Sequence, residues 1–149
     1  VKGVREGKIL VPIFVITVVI LLIFTSGVLT TQSPFIPTTS VSNVIGGKWT
    51  IQNYYTGNST LTEILTNTKG DVLIITKYSF NSPLEAKNFF YSNELGTSQS
   101  YGGYLISYYV HGLSESIYVL NGNNVFYISY IATGSTTLPS IGQLINLIK

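Results

Sequence analysis

The hydrophobic pattern divides the chain into three stretches. Residues 9–29 read ILVPIFVITVVILLIFTSGVL, 21 positions without a charge and without alternation. At 1.5 Å per residue a helix of that length spans about 31 Å, close to the roughly 30 Å hydrocarbon core of a bilayer. Pro12 falls near the first turn, where its missing N–H costs little. The run exceeds the about 7–15 residues of a signal-peptide core, which predicts a retained single-pass anchor and not a cleaved leader. Lys2, Arg5 and Lys8 precede it and no basic residue follows until Lys48. The positive-inside rule therefore places the N-terminus in the cytoplasm and the rest outside the cell membrane. A long apolar N-terminal helix also suits a type IV pilin stem, but the polar run Arg5–Lys8 ahead of it argues against pilin processing.

Residues 30–47, TTQSPFIPTTSVSNVIGG, contain two X-Pro steps and many hydroxyls, and predict an extended tether. From residue 48 to 149 the pattern becomes that of a folded domain. Period-two alternation predicts strands over 48–55, 60–66, 72–80, 104–111, 116–120 and 125–133. Leu61, Ile64 and Leu65 also fit a helix, but Leu61, Glu63 and Leu65 alternate as a strand does, and the turn residues 67–71 favour a hairpin. Asn121-Gly122 marks a second hairpin. Ser82-Pro83-Leu84-Glu85 has the form of a capping box with proline at the first helical position. Its helix is expected to bury Leu84, Phe89 and one of Tyr91 or Leu95, and to end at Gly96. Residues 97–103 read as a flexible loop. Pro139 introduces a last helix with Ile141, Leu144, Ile145 and Ile148 at helical spacing. The order β-β-β-α-β-β-β-α predicts an α+β fold, a two-layer sandwich with both helices on one face of an antiparallel sheet. Strands followed by a proline-marked helix occur twice, which hints at an internal duplication.

Composition narrows the chemistry. Hydrophobic residues make up 45% and charged residues 9%, against roughly 25% charged in soluble domains. There is no cysteine and one histidine, His111, which excludes disulfides, thiolate chemistry and any two-histidine site within one chain. The first eight residues carry three positive charges and one negative, the whole net +2, while five lysines and five carboxylates balance in the remainder. The pI of about 8.8 thus reports the basic flank and predicts no nucleic-acid surface.

His111 would need a nucleophile and an orienting carboxylate, for which Asp71 and Glu115 are the candidates, but no G-x-S-x-G elbow is present. No phosphate-binding glycine motif, metal-ligand cluster or glycosidase-like carboxylate pair stands out. The expectation is a protein that is not an enzyme and has no catalytic residue, cofactor or metal. All 11 tyrosines follow the apolar run. Alternation places Ser107, Tyr109 and His111 on one strand face, to which neighbouring strands would add Lys77 and the pair Tyr127 and Ser129. Together they form a candidate interface or ligand face for a protein or a glycan. Asn58-Ser59-Thr60 is the one N-x-[ST] sequon, making Asn58 a candidate glycosylation site.

With few carboxylates to protonate, the exported part is expected to tolerate acid. In composition the chain resembles small membrane-anchored surface proteins of acid-living archaea, a resemblance that carries no site residue. The functional expectation is a non-catalytic, membrane-anchored accessory or structural subunit of a larger envelope complex, respiratory complexes included. Its partners would be membrane lipid and other membrane-protein subunits. The alternatives are an exported module that binds a glycan or small ligand, and a surface filament subunit.

Overall fold

The computed structural model describes residues 35–149. The predicted transmembrane helix, the flank with Lys2, Arg5 and Lys8, and residues 30–34 of the expected tether lie outside the described residues. Among the described residues no helix is long and apolar enough to cross a membrane. The elements run α1 (Thr38–Ile45), β1 (Trp49–Gly57), β2 (Thr60–Asn67), β3 (Val72–Ser79), α2 (Pro83–Ser92), β4 (Ser98–Tyr101), β5 (Tyr104–His111), β6 (Ser114–Asn121), β7 (Asn124–Ile131) and α3 (Ile141–Asn146).

The strands form one antiparallel sheet in the order β1-β2-β3-β7-β6-β5-β4. It consists of two meanders, β1 to β3 and β4 to β7, whose last strands lie side by side. The longest unbroken aliphatic run of the strands, Val72-Leu73-Ile74-Ile75, belongs to the central strand β3. Both faces are covered there, so unbroken apolar runs replace simple alternation. Hairpin chemistry sets the register. Asn121 pairs with Asn124 around Gly122, whose φ of +59° suits glycine, and His111 pairs with Ser114 around Gly112 at φ +57°.

The register sorts side chains to two faces. On the front face Leu65, Leu73, Ile75, Ile106, Ile117, Val119, Phe126, Ile128 and Tyr130 pack beneath Val41 of α1 and Leu144 and Ile145 of α3. Each buried aliphatic side chain there contributes on the order of 2 kcal/mol. Trp49 meets the Tyr130 ring edge-on at 6.1 Å, and its indole N–H donates to Gly46 O at 2.7 Å. On the back face Ala86 and Phe90 of α2 are buried with Val125 and packed by Tyr78, Phe80, Phe89, Leu105, Tyr118 and Leu120.

The α+β class and the antiparallel sheet agree with the sequence reading, whereas the layering does not. The helices are divided between the faces, α1 and α3 in front and α2 behind, so the sheet lies between helical layers. This also breaks the hinted duplication, since a two-fold axis through the β3/β7 contact, normal to the sheet, would put both proline-marked helices on one face. The described part of the expected tether is structural: Ile36 and Val41 are buried, and α1 packs against β1 and α3. Its alternating hydroxyls hide one apolar stripe. The expected loop over 97–103 holds the short edge strand β4, whose residues pair with β5 from Ser98↔Ser107 to Tyr101↔Tyr104.

The Ser82 start is capped as the sequence predicts, and Ser140 caps the last helix as well. Ser82 Oγ accepts from Glu85 N at 3.2 Å, although the Glu85 carboxylate accepts from Asn81 N and not from the cap itself. Ser140 and Gln143 form the reciprocal box in α3. Such a cap stabilises by about 1 kcal/mol. The buried stripe of α2 is Ala86 and Phe90 with Phe89 partly buried, while Leu84 is 67% exposed and Tyr91 also faces out. The helix ends at Ser92, capped by Asn93, before it reaches Gly96.

Candidate functional site

On the back face one row of cross-strand partners runs across the whole sheet. Tyr55, Thr62, Thr76, Tyr127, Tyr118, Ser107 and Ser98 stand opposite one another in strand order, and each carries a hydroxyl. Thr62 Oγ1 and Thr76 Oγ1 are 3.0 Å apart, and Ser116 Oγ lies 3.1 Å from Tyr127 Oη and donates to Ser129 Oγ at 3.1 Å. The Tyr118 and Tyr127 rings meet at 4.9 Å. Burial pushes both phenols above their usual range, so they remain neutral donors. The charged strand residues Glu63, Lys77 and Glu115 all fall on the front face, which leaves the back face of the strands without Lys, Arg, Asp or Glu.

Of the residues assigned to this face by alternation, Ser107, Tyr109, His111, Tyr127 and Ser129 do share it. Lys77 does not: it pairs with Phe126, while the next residue, Tyr127, faces back. The error is one of register, because the strand-to-strand offset decides the face and is invisible within a single strand. The surface is also less open than expected. Ser107 and Ser129 are fully buried, and Ser107 Oγ accepts from Leu95 N at 2.7 Å and Gly96 N at 3.3 Å, fastening the α2–β4 connection across the sheet. Tyr109, His111 and Tyr127 remain toward the end that α2 leaves uncovered. His111 is exposed and stacks parallel on Tyr109 at 6.3 Å. Neither candidate carboxylate orients it, since Asp71 is fully engaged elsewhere and Glu115 points to the opposite face. Asn58 lies exposed in the β1–β2 turn.

The front face holds three buried carboxyl groups that sequence reasoning did not single out as buried. Glu63 Oε1 accepts from Phe35 N at 2.5 Å and Glu63 Oε2 from Ile36 N at 3.3 Å, pinning the chain to the sheet where the described residues begin. Burial raises its pKa against the opposing pull of those amides. Asp71 receives Gly134 N and Ser135 N at 2.9 Å each, Ser135 Oγ at 2.5 Å, Asn67 Nδ2 at 2.9 Å and Tyr130 Oη at 3.0 Å. Burial alone would raise Asp71, but the Ser135 hydroxyl, the Asn67 amide and the two backbone N–H groups outweigh it and hold the carboxylate well below its usual range. Glu115 is 6% exposed, and its Oε1 has no hydrogen-bond partner among the described residues. Burial pushes its pKa up to about 7. The signal for Glu63 and Glu115 was present: each alternates in phase with apolar residues, Leu61 and Leu65 in one case and Ile117 and Val119 in the other.

A cleft of about 250 Å³ opens between the end of α1, the β2–β3 turn and the segment leading into α3, lined by Gly46, Asn67, Lys69, Ser135, Thr137 and Gln143 among others. Gln143 spans it, accepting from Ser140 N and donating to Val44 O. Ser135 donates to a carboxylate far too weakly basic to take its proton, so the pair ties a loop down and does not activate a nucleophile. Among the described residues no group of three or more His, Cys, Asp or Glu could hold a metal ion.

No protein-family model matches the chain, and no curated protein or solved structure matches it.

Proposed function

We propose that the chain is a membrane-anchored, non-catalytic subunit of a larger envelope assembly, whose extracytoplasmic domain braces partner subunits close to the bilayer. The observation that carries this reading is the Glu63 clamp on Phe35 and Ile36. With the predicted span ending at residue 29, only residues 30–34 separate it from the fixed chain. Five extended residues reach at most about 18 Å. The domain is then confined near the lipid surface and limited in orientation, which suits a brace in an assembly better than a module that searches for ligand at a distance. The use of the Glu63 and Asp71 carboxylates as backbone anchors fits the same role.

Gentle detergent extraction of native membranes followed by affinity purification of the full chain tests this reading. Stoichiometric membrane partners are expected, and recovery as a lone monomer at native abundance would overturn it. A second reading, a glycan-binding module, draws on the hydroxyl-rich back face of the strands, which carries no Lys, Arg, Asp or Glu. It predicts binding of neutral oligosaccharides that is lost in Tyr109→Ala and Tyr127→Ala.

A further inference from the structure

The Glu115 carboxyl has an exceptional position. Its cross-strand neighbours on the front face are Val110 on β5 and Tyr130 on β7. Val110 is 48% exposed, the turn residue Leu113 49%, and Tyr108, next along the same face of β5, 38%. Scattered apolar residues on a surface need no explanation, but Tyr108 and Val110 are consecutive on the front face of β5, Leu113 follows in the adjoining turn, and Val110 stands opposite a buried acceptor with no partner among the described residues. At the other end of β5, Tyr104 packs against the core and Tyr101 sits beside Gly142 of α3, so helix cover reaches only part of this strand. Lys77, the basic residue of the front-face strands, pairs with Phe126, four residues along β7 from Tyr130 and about 13 Å away by strand geometry. The Asp71 carboxylate, held ionised, lies on the far side of Tyr130 and adds negative potential.

We propose that Tyr108, Val110 and Leu113 form a docking surface for a partner subunit, which inserts an arginine or lysine side chain to meet Glu115. A cation supplies the missing donors, and the apolar rim keeps water from competing with the pair, as at the centre of a protein interface. Burial raises the isolated Glu115 carboxyl, and an inserted cation lowers it again on assembly. The inference rests on the subunit reading above and names its contact surface.

The test uses the full chain in native membranes with a photoreactive benzoylphenylalanine in place of Val110 or, on the opposite face of the same strand, of His111. The expected result is cross-linking from position 110 to a partner peptide that contains arginine or lysine, with about a tenth of that yield from position 111. Glu115→Leu should cut the position-110 yield at least about tenfold without lowering the Tm of the full chain in detergent. Glu115→Gln, which keeps the shape and removes the charge, should also reduce it about tenfold and guards against misfolding of the leucine variant. Cross-linking chiefly from position 111, to a second copy of this chain, or to a peptide without a basic residue overturns the inference and leaves the subunit reading standing. An undiminished yield in Glu115→Gln does the same. No protein cross-link from either position removes both.

Discussion

Asp71, in the turn before β3, and Glu115, on β6, approach the same β7 tyrosine from opposite sides, and they are treated in opposite ways. Asp71 is surrounded by donors from Asn67, Tyr130, Gly134 and Ser135 and stays ionised. Glu115, similarly buried, has an oxygen with no donor among the described residues. The first arrangement ties the segment after β7 to the β2–β3 turn and is what stability requires of a buried carboxylate. The second works against the fold, which is why it marks a surface awaiting something external. Burial by itself therefore says little about a carboxylate's role, and the count of donors around it says much more.

Removing the satisfied member should have the largest effect. Asp71→Ala strips the acceptor from two backbone amides and the Tyr130 hydroxyl, and is expected to destabilise the full chain by about 3–5 kcal/mol in a denaturant titration. A loss below about 1 kcal/mol would erase the contrast. For Glu115 the sign reverses. A carboxyl raised in the folded state from about 4.5 to about 7 contributes most stability below its unfolded pKa, and this is lost as pH rises through the folded one. The protein should thus gain about 2 kcal/mol between pH 7.5 and pH 5. Glu63, also raised, acts in the same direction. Asp71 acts oppositely, but its contribution is full above its unfolded pKa and disappears only at very low pH. In Glu115→Leu the pH 7.5 value should rise and the slope flatten, so an unchanged slope would assign the effect elsewhere. Tyr130→Phe sharpens the comparison with the smallest change. It removes one of Asp71's donors at a cost of about 1 kcal/mol and should leave the Glu115 pH slope intact.

These titrations give the expected acid tolerance a specific form. Burial raises Glu63 and Glu115, so for these two groups moderate acidification is expected to favour the fold. A cooperative loss of circular dichroism between pH 5 and pH 3 would contradict this.

Much of the fold was legible along the chain because the interactions that set it are local. The Ser82 cap, the Gly122 hairpin and the alternation of β2 and β5 depend on residues within a few positions of one another. The hydroxyl row was half visible, since period two placed Ser107 with Tyr109 and Tyr127 with Ser129. Alternation also set Glu63 in phase with Leu61 and Leu65, and that alone pointed to a buried carboxylate.

What alternation cannot supply is the offset between strands, and so Lys77 went to the wrong face. Nor can it say which face a helix covers. Tyr78, Val125, Leu105 and Leu120 gather into an apolar patch only after the two meanders join at β3 and β7, and that patch draws α2 to the back. α1 escaped notice because eight residues rich in Thr and Ser make a poor helix alone and gain their stability from burying Val41 against the sheet. The order of residues thus determined six of the seven strands, the two proline-marked helices and the local turn and cap chemistry that bounds them. Tertiary packing decided the sides on which the helices lie, the clamp that Glu63 places on the chain, and which buried acid is satisfied and which keeps an oxygen without a donor among the described residues. The physical reason is that periodicity and capping are local, whereas donors and apolar cover come from residues far apart in sequence.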